Sequence, residues 1–428
     1  MREYEKYKPS SIDYPKELPE NWAIIRLKDL GNLQNGISNG KDYFGFGFPF
    51  VSYGNVYNDT IRLSEIKTLA NSSAIDQKAY SVLEGDVFFT RTSETIDEIG
   101  IASTCLTTIS KATFSGFTIR LRPKLRVIIK EFSKYFFKAH TNRQFLSKEI
   151  NLVTRASLSQ NLLNNLPVLL PPLAEQTAIA QYLDTKTQAI DKKINLLTRK
   201  TDCYQELRKT LINEAVTKGL DKDVALKESG IEWIGKIPEH WEVKRLKFFA
   251  FTIKGKNVDL SDIPFENSLP YLSLEYLRNE RILMPNYGIT KDKSQICTEN
   301  DLIVIWDGAG VGEILRAKKG ILSSTTAKFS FNRTCNFKFF FHIRDQIEYT
   351  LKQIPTGMGI PHLNPHVLNN FPCPYPPLEE QAAIANYLDK KTSTIDTIIA
   401  NLQKQIETLQ ELRKTLINDV VTGKVKVV

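Results

Sequence analysis

Cysteine is scarce: Cys105, Cys203, Cys297, Cys335 and Cys373 are the five in 428 residues, and no two sit at CxxC spacing. A reducing compartment without a disulfide framework fits this best, and no cysteine-based zinc site is visible. No apolar run approaches 18 residues, so no membrane-spanning helix is expected. The opening Met1-Arg-Glu-Tyr-Glu-Lys-Tyr-Lys8 is charged and has no apolar core, which argues against a signal peptide. A cytoplasmic chain is expected.

Catalytic signatures are missing too. There is no GxxxxGK[ST] loop. Phe44-Gly-Phe-Gly47 has the glycines of an S-adenosylmethionine turn, but Phe48-Pro-Phe50 follows where a helix should begin. Gly308-Ala-Gly-Val-Gly-Glu313 puts Glu313 where a dinucleotide loop needs its third glycine. Asn364-Pro-His-Val367 lacks the second proline and the aromatic of a flipped-base methylation motif. His362 and His366 have i,i+4 spacing, yet Pro365 between them spoils a metal-binding helix. The expectation is no enzyme, no metal and no cofactor bound by this chain.

What the chain does have is an ordinary globular composition, 42% hydrophobic and 25% charged, with a net charge of +9 that suits a polyanionic partner. It also repeats itself. Pro171-Pro-Leu-Ala-Glu-Gln176 through Leu211-Ile-Asn213 aligns without a gap on Pro376-Pro-Leu-Glu-Glu-Gln381 through Leu416-Ile-Asn418, an offset of 205 residues. About 28 of 47 paired positions are identical, far beyond chance. A lead-in motif recurs as well: Leu18-Pro-Glu-Asn-Trp22 with Arg26-Leu-Lys28, and Ile237-Pro-Glu-His-Trp241 with Arg245-Leu-Lys247. Four segments follow: 1–170, a domain with its lead-in at 12–28; 171–222, a helical spacer; 223–375, a second domain with its lead-in at 231–247; and 376–428, a second helical spacer.

In the spacers, Leu183, Ile190, Ile194, Leu197, Tyr204 and Leu211 fall on heptad a and d positions, as do Leu388, Ile395, Ile399, Leu402, Leu409 and Leu416. Such a stripe is a coiled-coil seam, and two matched helices are each other's natural partner. Antiparallel pairing, with an internal pseudo-twofold repeat, would let them hold two α/β domains apart. Outside the seam, the repeated Glu175, Gln176, Glu380 and Gln381 are candidates for docking two copies of one partner.

The domains carry short β-type runs, such as Gly85-Asp-Val-Phe-Phe-Thr-Arg91 and Asp301-Leu-Ile-Val-Ile-Trp306, and then helical patterns, which predicts mixed α/β folds. Polar and basic residues gather where strands pass into loops. The first domain offers Asn35, Ser38, Asn39, Lys41, Arg91, Thr92, Arg155, Ser157 and Gln160. The second offers Lys254, Lys256, Asn257, Trp306, Asp307, His362 and Asn364 at matching places. These are mostly side-chain types that contact base edges and phosphates. Solvated loops are the plain alternative for any one of them, and the recurrence favours the set.

The doubled Pro-Pro-Leu-x-Glu-Gln-x-x-Ile-x-x-Tyr-Leu-Asp helix, its Leu-Arg-Lys-x-Leu-Ile ending and the Ile-Pro-x-x-Trp lead-in resemble the specificity subunit of type I restriction-modification enzymes. Val216-Thr-Lys-Gly219 and Val421-Thr-Gly-Lys424 look like that family's region ends. The resemblance implies two target recognition domains reading an asymmetric bipartite site on double-stranded DNA. It implies two methyltransferase and two restriction subunits as partners, with S-adenosylmethionine, ATP and Mg2+ on those partners and no catalysis here. The competing reading is a protein-interaction scaffold organised by the paired helices.

Overall fold

A computed structural model of the chain describes residues 3–12, 14–93, 95, 98–124, 126–148, 156–278, 284–356 and 359–427. Two compact units cut across the linear order, Met1–Thr198 with Gln403–Val428, and Arg199–Leu402. Each is built from the same parts.

In the first unit, strand Ala23–Arg26 pairs antiparallel with Pro167–Leu170, Arg26 opposite Pro167. That ladder joins the beginning and end of the first domain just ahead of a helix at Leu173–Lys218. Pro171 and Pro172 precede it, where a missing N–H breaks no helical bond. Between them lie β1 (Gly31–Asn35), β2 (Thr60–Ile61), β3 (Val87–Thr90), β4 (Ala102–Cys105) and β5 (Thr118–Pro123), in the sheet order β1-β5-β3-β4-β2. Alternation along β5 explains its placement. Ile119 and Leu121 are fully buried beside Phe132 and Phe136 of helix Lys130–Phe136, which leaves Arg120 and Arg122 to the other face.

The far end of the second long helix, Leu378–Val421, completes this unit. Its Ile417, Val420 and Val421 share one core with Ile179 and Leu183 of the first helix and with Leu18 and Trp22 of the lead-in. Arg413 pairs with Asp191 at 2.9 Å. The two helical segments therefore run antiparallel.

The second unit repeats this with the roles exchanged. Strand Glu242–Arg245 pairs with Pro372–Tyr375 in the same register, Arg245 opposite Pro372. Its sheet holds β6 (Ala250–Lys254), β7 (Leu302–Ile305), β8 (Ile314–Arg316) and β9 (Thr326–Phe331), in the order β6-β9-β7-β8. Now the end of the first long helix closes the core: Ile212, Ala215 and Val216 lie with Ile384, Ala385, Leu388 and Trp241. Arg208 pairs with Asp396 at 2.9 Å. The 205-residue offset turns Asp191–Arg413 into Asp396–Arg208, so one ion pair is made twice.

Burial along the heptad stripe is uneven. Leu183, Leu388, Ile395 and Leu402 are buried, and Ile190, Ile194, Leu197, Tyr204, Leu211, Ile399, Leu409 and Leu416 are half-buried. Thr187 and Thr392, buried in the same stripe, donate to Leu183 O and Leu388 O at 2.7 Å each, which satisfies their hydroxyls inside the helix. Each helix stops at a glycine in the left-handed region, Gly219 (φ +79°) and Gly423 (φ +76°). A Cβ on Gly423 would fall 2.5 Å from Pro19 of the lead-in.

Two of the four docking candidates, Gln176 and Gln381, need correction. Gln176 is fully buried; it donates to Val127 O and Pro171 O and accepts from Ile129 N, at 2.7, 2.9 and 3.0 Å. Gln381 is buried likewise, donating to Thr334 O and Pro376 O and accepting from Asn336 N at 3.2, 2.9 and 2.8 Å. Glu175 accepts from Tyr4 and Asn21, and Glu380 from His240 and Trp241. Their identity recurs because they tie each helix start to its own domain and lead-in. Gln381→Leu keeps the volume and orphans buried backbone groups, so it should lower stability by about 1–3 kcal/mol in urea unfolding; an unchanged midpoint would contradict this role.

Candidate nucleic-acid interface

One backbone arrangement recurs in both units and presents most of the expected residues. In the first, the loop after β1 crosses the turn before β5 so closely that a Cβ on Gly36 would lie 2.3 Å from Ser115 O. Ile37 donates to Phe114 O, and Gly116 donates back to Ile37 O, both at 2.8 Å. Beyond β3, Arg91 N donates to Phe117 O at 2.9 Å, and Leu158 N donates to Arg91 O at 2.7 Å. Thr92 lies opposite Ser157 in a short antiparallel pair.

The second unit repeats each element with different side chains. A Cβ on Gly255 would lie 2.0 Å from Ser323 O. Trp306 N donates to Thr325 O, and Leu363 N donates to Trp306 O, both at 2.8 Å. Asp307 lies opposite His362. Thr118 and Thr326 each return a hydroxyl to Ser115 O and Ser323 O, at 2.7 and 2.8 Å. The frame thus aligns Asn35 with Lys254, Ser38 with Asn257, Arg91 with Trp306, Thr92 with Asp307, and Ser157 with His362.

The chemistry on the two frames differs. In the first unit the Gln160 amide donates to Asn35 Oδ1 at 3.0 Å, and Arg91 reaches Gly116 O at 3.3 Å. Ser38 Oγ lies where a Cβ on Gly116 would be, at 2.0 Å. This is a neutral amide pair beside a guanidinium. In the second, Asp307 accepts from Lys254 at 3.0 Å and from His362 Nδ1 at 2.6 Å, and Lys254 Nζ stands 5.7 Å from the Trp306 ring centre. Burial acts to raise the Asp307 carboxyl, but His362 and Lys254 outweigh it and hold the group below the usual carboxylate range. This is a charged cluster beside an indole. Amides and guanidinium suit purine major-groove edges, and the second set offers a different donor pattern.

Several expected residues stand elsewhere. Asn39 and Lys41 are exposed on the outer stretch of the first loop, where Asn39 Oδ1 accepts from Gly40 N at 3.2 Å. Lys256 is ion-paired with Asp292 at 2.8 Å. Asn364 caps helix Pro365–Asn369, its Oδ1 accepting from His366 N and Val367 N at 3.0 and 3.3 Å, so that oxygen is not free to read a base. Arg155 lies outside the described residues. Phe117, not singled out from sequence, is 62% exposed at the turn that Arg91 grips.

A twice-made α/β frame that offers two unlike polar clusters defines a two-headed recognition protein. Residues 19–199 and 238–408 match the type I restriction modification DNA specificity domain. The match takes in most of the chain, and the chain belongs to that family. It is 38% identical over 189 residues to the type I restriction enzyme MjaVIII specificity subunit of Methanocaldococcus jannaschii, 44% of this chain and 43% of that one. It is 26% identical to the putative MjaX specificity subunit of the same organism over 99% of this chain and 97% of that one. Among solved structures, a chain from work on complex assembly and conformational transition of the type I R-M system shares the fold, with TM-score 0.74 and 16% identity over 96% of this chain and all of that one. No helix among the described residues is long and apolar enough to cross a membrane.

Because Gly36 and Gly255 allow the crossing that builds each cluster, Gly36→Ala and Gly255→Ala should each cost about 1–3 kcal/mol by overpacking. Amide exchange should rise at Ile37 in the first variant and at the substituted position 255, whose N–H donates to Thr326 O, in the second. Wild-type exchange in both variants would show that the crossing does not hold the loops.

Proposed function

We propose that this chain is the DNA-reading specificity subunit of a type I restriction-modification enzyme and that each unit reads one half of an asymmetric bipartite duplex site. The observation that carries the reading is the position-by-position match of the two frames with the side chains exchanged. A frame held constant while its presented groups change is what two unlike half-sites require. The +9 charge supplies the attraction to phosphates that any duplex contact needs.

In this reading the chain is non-catalytic. S-adenosylmethionine, ATP and Mg2+ belong to partners, two methyltransferase and two restriction subunits. Repeat-matched leucines support two equivalent docking surfaces: Leu173 and Leu378 are 48% and 47% exposed, and Leu207 and Leu412 are 45% and 49% exposed. Apolar side chains left outside a seam at matched places suit two copies of one partner. They replace the buried glutamines as docking candidates.

Substitutions test the division of labour. With the partner methyltransferase present, Arg91→Ala should relax base preference in one half of the methylated site only. Trp306→Ala should do so in the other half only. Each lost base-edge contact should weaken discrimination by about 1–3 kcal/mol, read by sequencing modified bases. Loss of preference in both halves from either single change would contradict one reader per unit.

A further inference from the structure

We propose that the first unit alone carries an anchoring site for one phosphodiester of the DNA backbone, in the groove along the outer face of β1 and β5. This rests on the DNA-reading function above and adds to it a contact that does not choose bases. The groove has a volume of about 520 Å³, and the residues that line it include Lys28, Gln34, Arg120, Arg122, Gln160 and Asn164, with no acidic side chain. Three cations and, with Asn32, four amides face one space, a donor set for a tetrahedral anion.

Arg120 is the second observation. It is only 5% exposed, yet among the described residues no carboxylate bonds it. It donates to Ser81 O at 2.5 Å and to the Gln34 amide oxygen, and its Nε has no hydrogen-bond partner among the described residues. Burial pulls this guanidinium down to about 10, so it stays charged near neutral pH. Asp86 favours its charge from a distance and the Phe114 ring lies 5.0 Å from the guanidinium, but neither bonds it, so an incoming anion would offset the burial cost that remains. Arg122 differs, since Asp86 already neutralises it at 2.6 Å. Lys28 is exposed at the rim. Gln160 belongs to both places, because its amide also bonds Asn35 in the base-reading cluster at 3.0 Å. A phosphate held here would sit next to the reader and fix its register on the duplex.

The second unit lacks the site. The pairing of Ile119 with Asn35 and of Ala327 with Lys254 sets the two sheets in equivalent register. Where the first unit has Asn32, Gln34, Arg122 and Gln160, the second has Phe251, Ile253, Ser330 and Pro365. Phe251 is 59% exposed, and Lys328, the counterpart of Arg120, is spent on Ile296 O at 2.8 Å.

The test uses the full chain with its methyltransferase and a duplex carrying the methylated site. Lys28→Ala with Asn164→Asp changes the groove rim and leaves Arg120 in place. The log–log salt dependence of binding should become shallower by about 0.9, the share of one phosphate. Replacing backbone phosphates one at a time by neutral methylphosphonate should reveal one position that weakens the wild type several-fold and leaves the variant unaffected. The matched pair Lys247→Ala with Asn369→Asp should not change the slope. An unchanged slope in the first variant, or an equal fall in the second, would overturn the site and leave the DNA-reading function standing. Failure of the wild type to bind the duplex would overturn both. If inorganic phosphate raises the melting temperature of the wild type and not of the variant while the slope is unchanged, the groove takes a free anion and the backbone assignment fails.

Discussion

Each unit is closed by a helix end that comes from the other half of the chain, and everything else depends on that closure. Without Ile417, Val420 and Val421, the core around Trp22, Leu183 and Phe136 would lie open. Without Ile212, Ala215 and Val216, the core around Trp241, Leu388 and Phe340 would lie open. At about 25 cal/mol per Å² of apolar surface, leaving such faces wet is among the largest penalties a domain this size can meet. The ion pairs Asp191–Arg413 and Arg208–Asp396 are half-exposed and add little energy, but they fix the antiparallel register.

That closure frees the rest of each domain to vary. The frame is carried mainly by backbone bonds and by small residues that permit close approach, Gly36 with Ser115 and Gly255 with Ser323. Such contacts do not depend on what the neighbouring positions present. Arg91 can therefore stand where Trp306 stands, and Thr92 where Asp307 stands, with the carbonyl of Phe117 or Thr325 gripping the chain in the same way. The anchoring groove follows the same rule, since β1 and β6 keep one register while one presents amides and the other Phe251 and Ile253.

The repeat, the seam and the mixed α/β class were legible in the sequence, because identity at a fixed offset and a 3.5-residue stripe survive without coordinates. Recurrence also marked Asn35, Arg91, Trp306 and His362, which the two frames place at matching positions. Burial was not legible. Gln176 and Gln381 read as a shared surface because glutamine is usually exposed, yet their amides are consumed by backbone groups of their own domains. Asn364 read as a base contact, but proline after asparagine is also a helix start. The alternation Thr118-Ile-Arg-Leu-Arg122 did put two arginines on one strand face. Nothing in the sequence said that one of them would be buried without a carboxylate.

The central claim is that one frame holds two independent readers. It is tested most directly by replacing Gly31–Asn164 with a second copy of Ala250–Asn369 in the full chain, expressing it with the methyltransferase, and sequencing the modified bases. The account predicts a methylated site made of two copies of the half read by the second unit, with the half read by the first unit gone. Survival of the original two unlike halves in that chimera would contradict it.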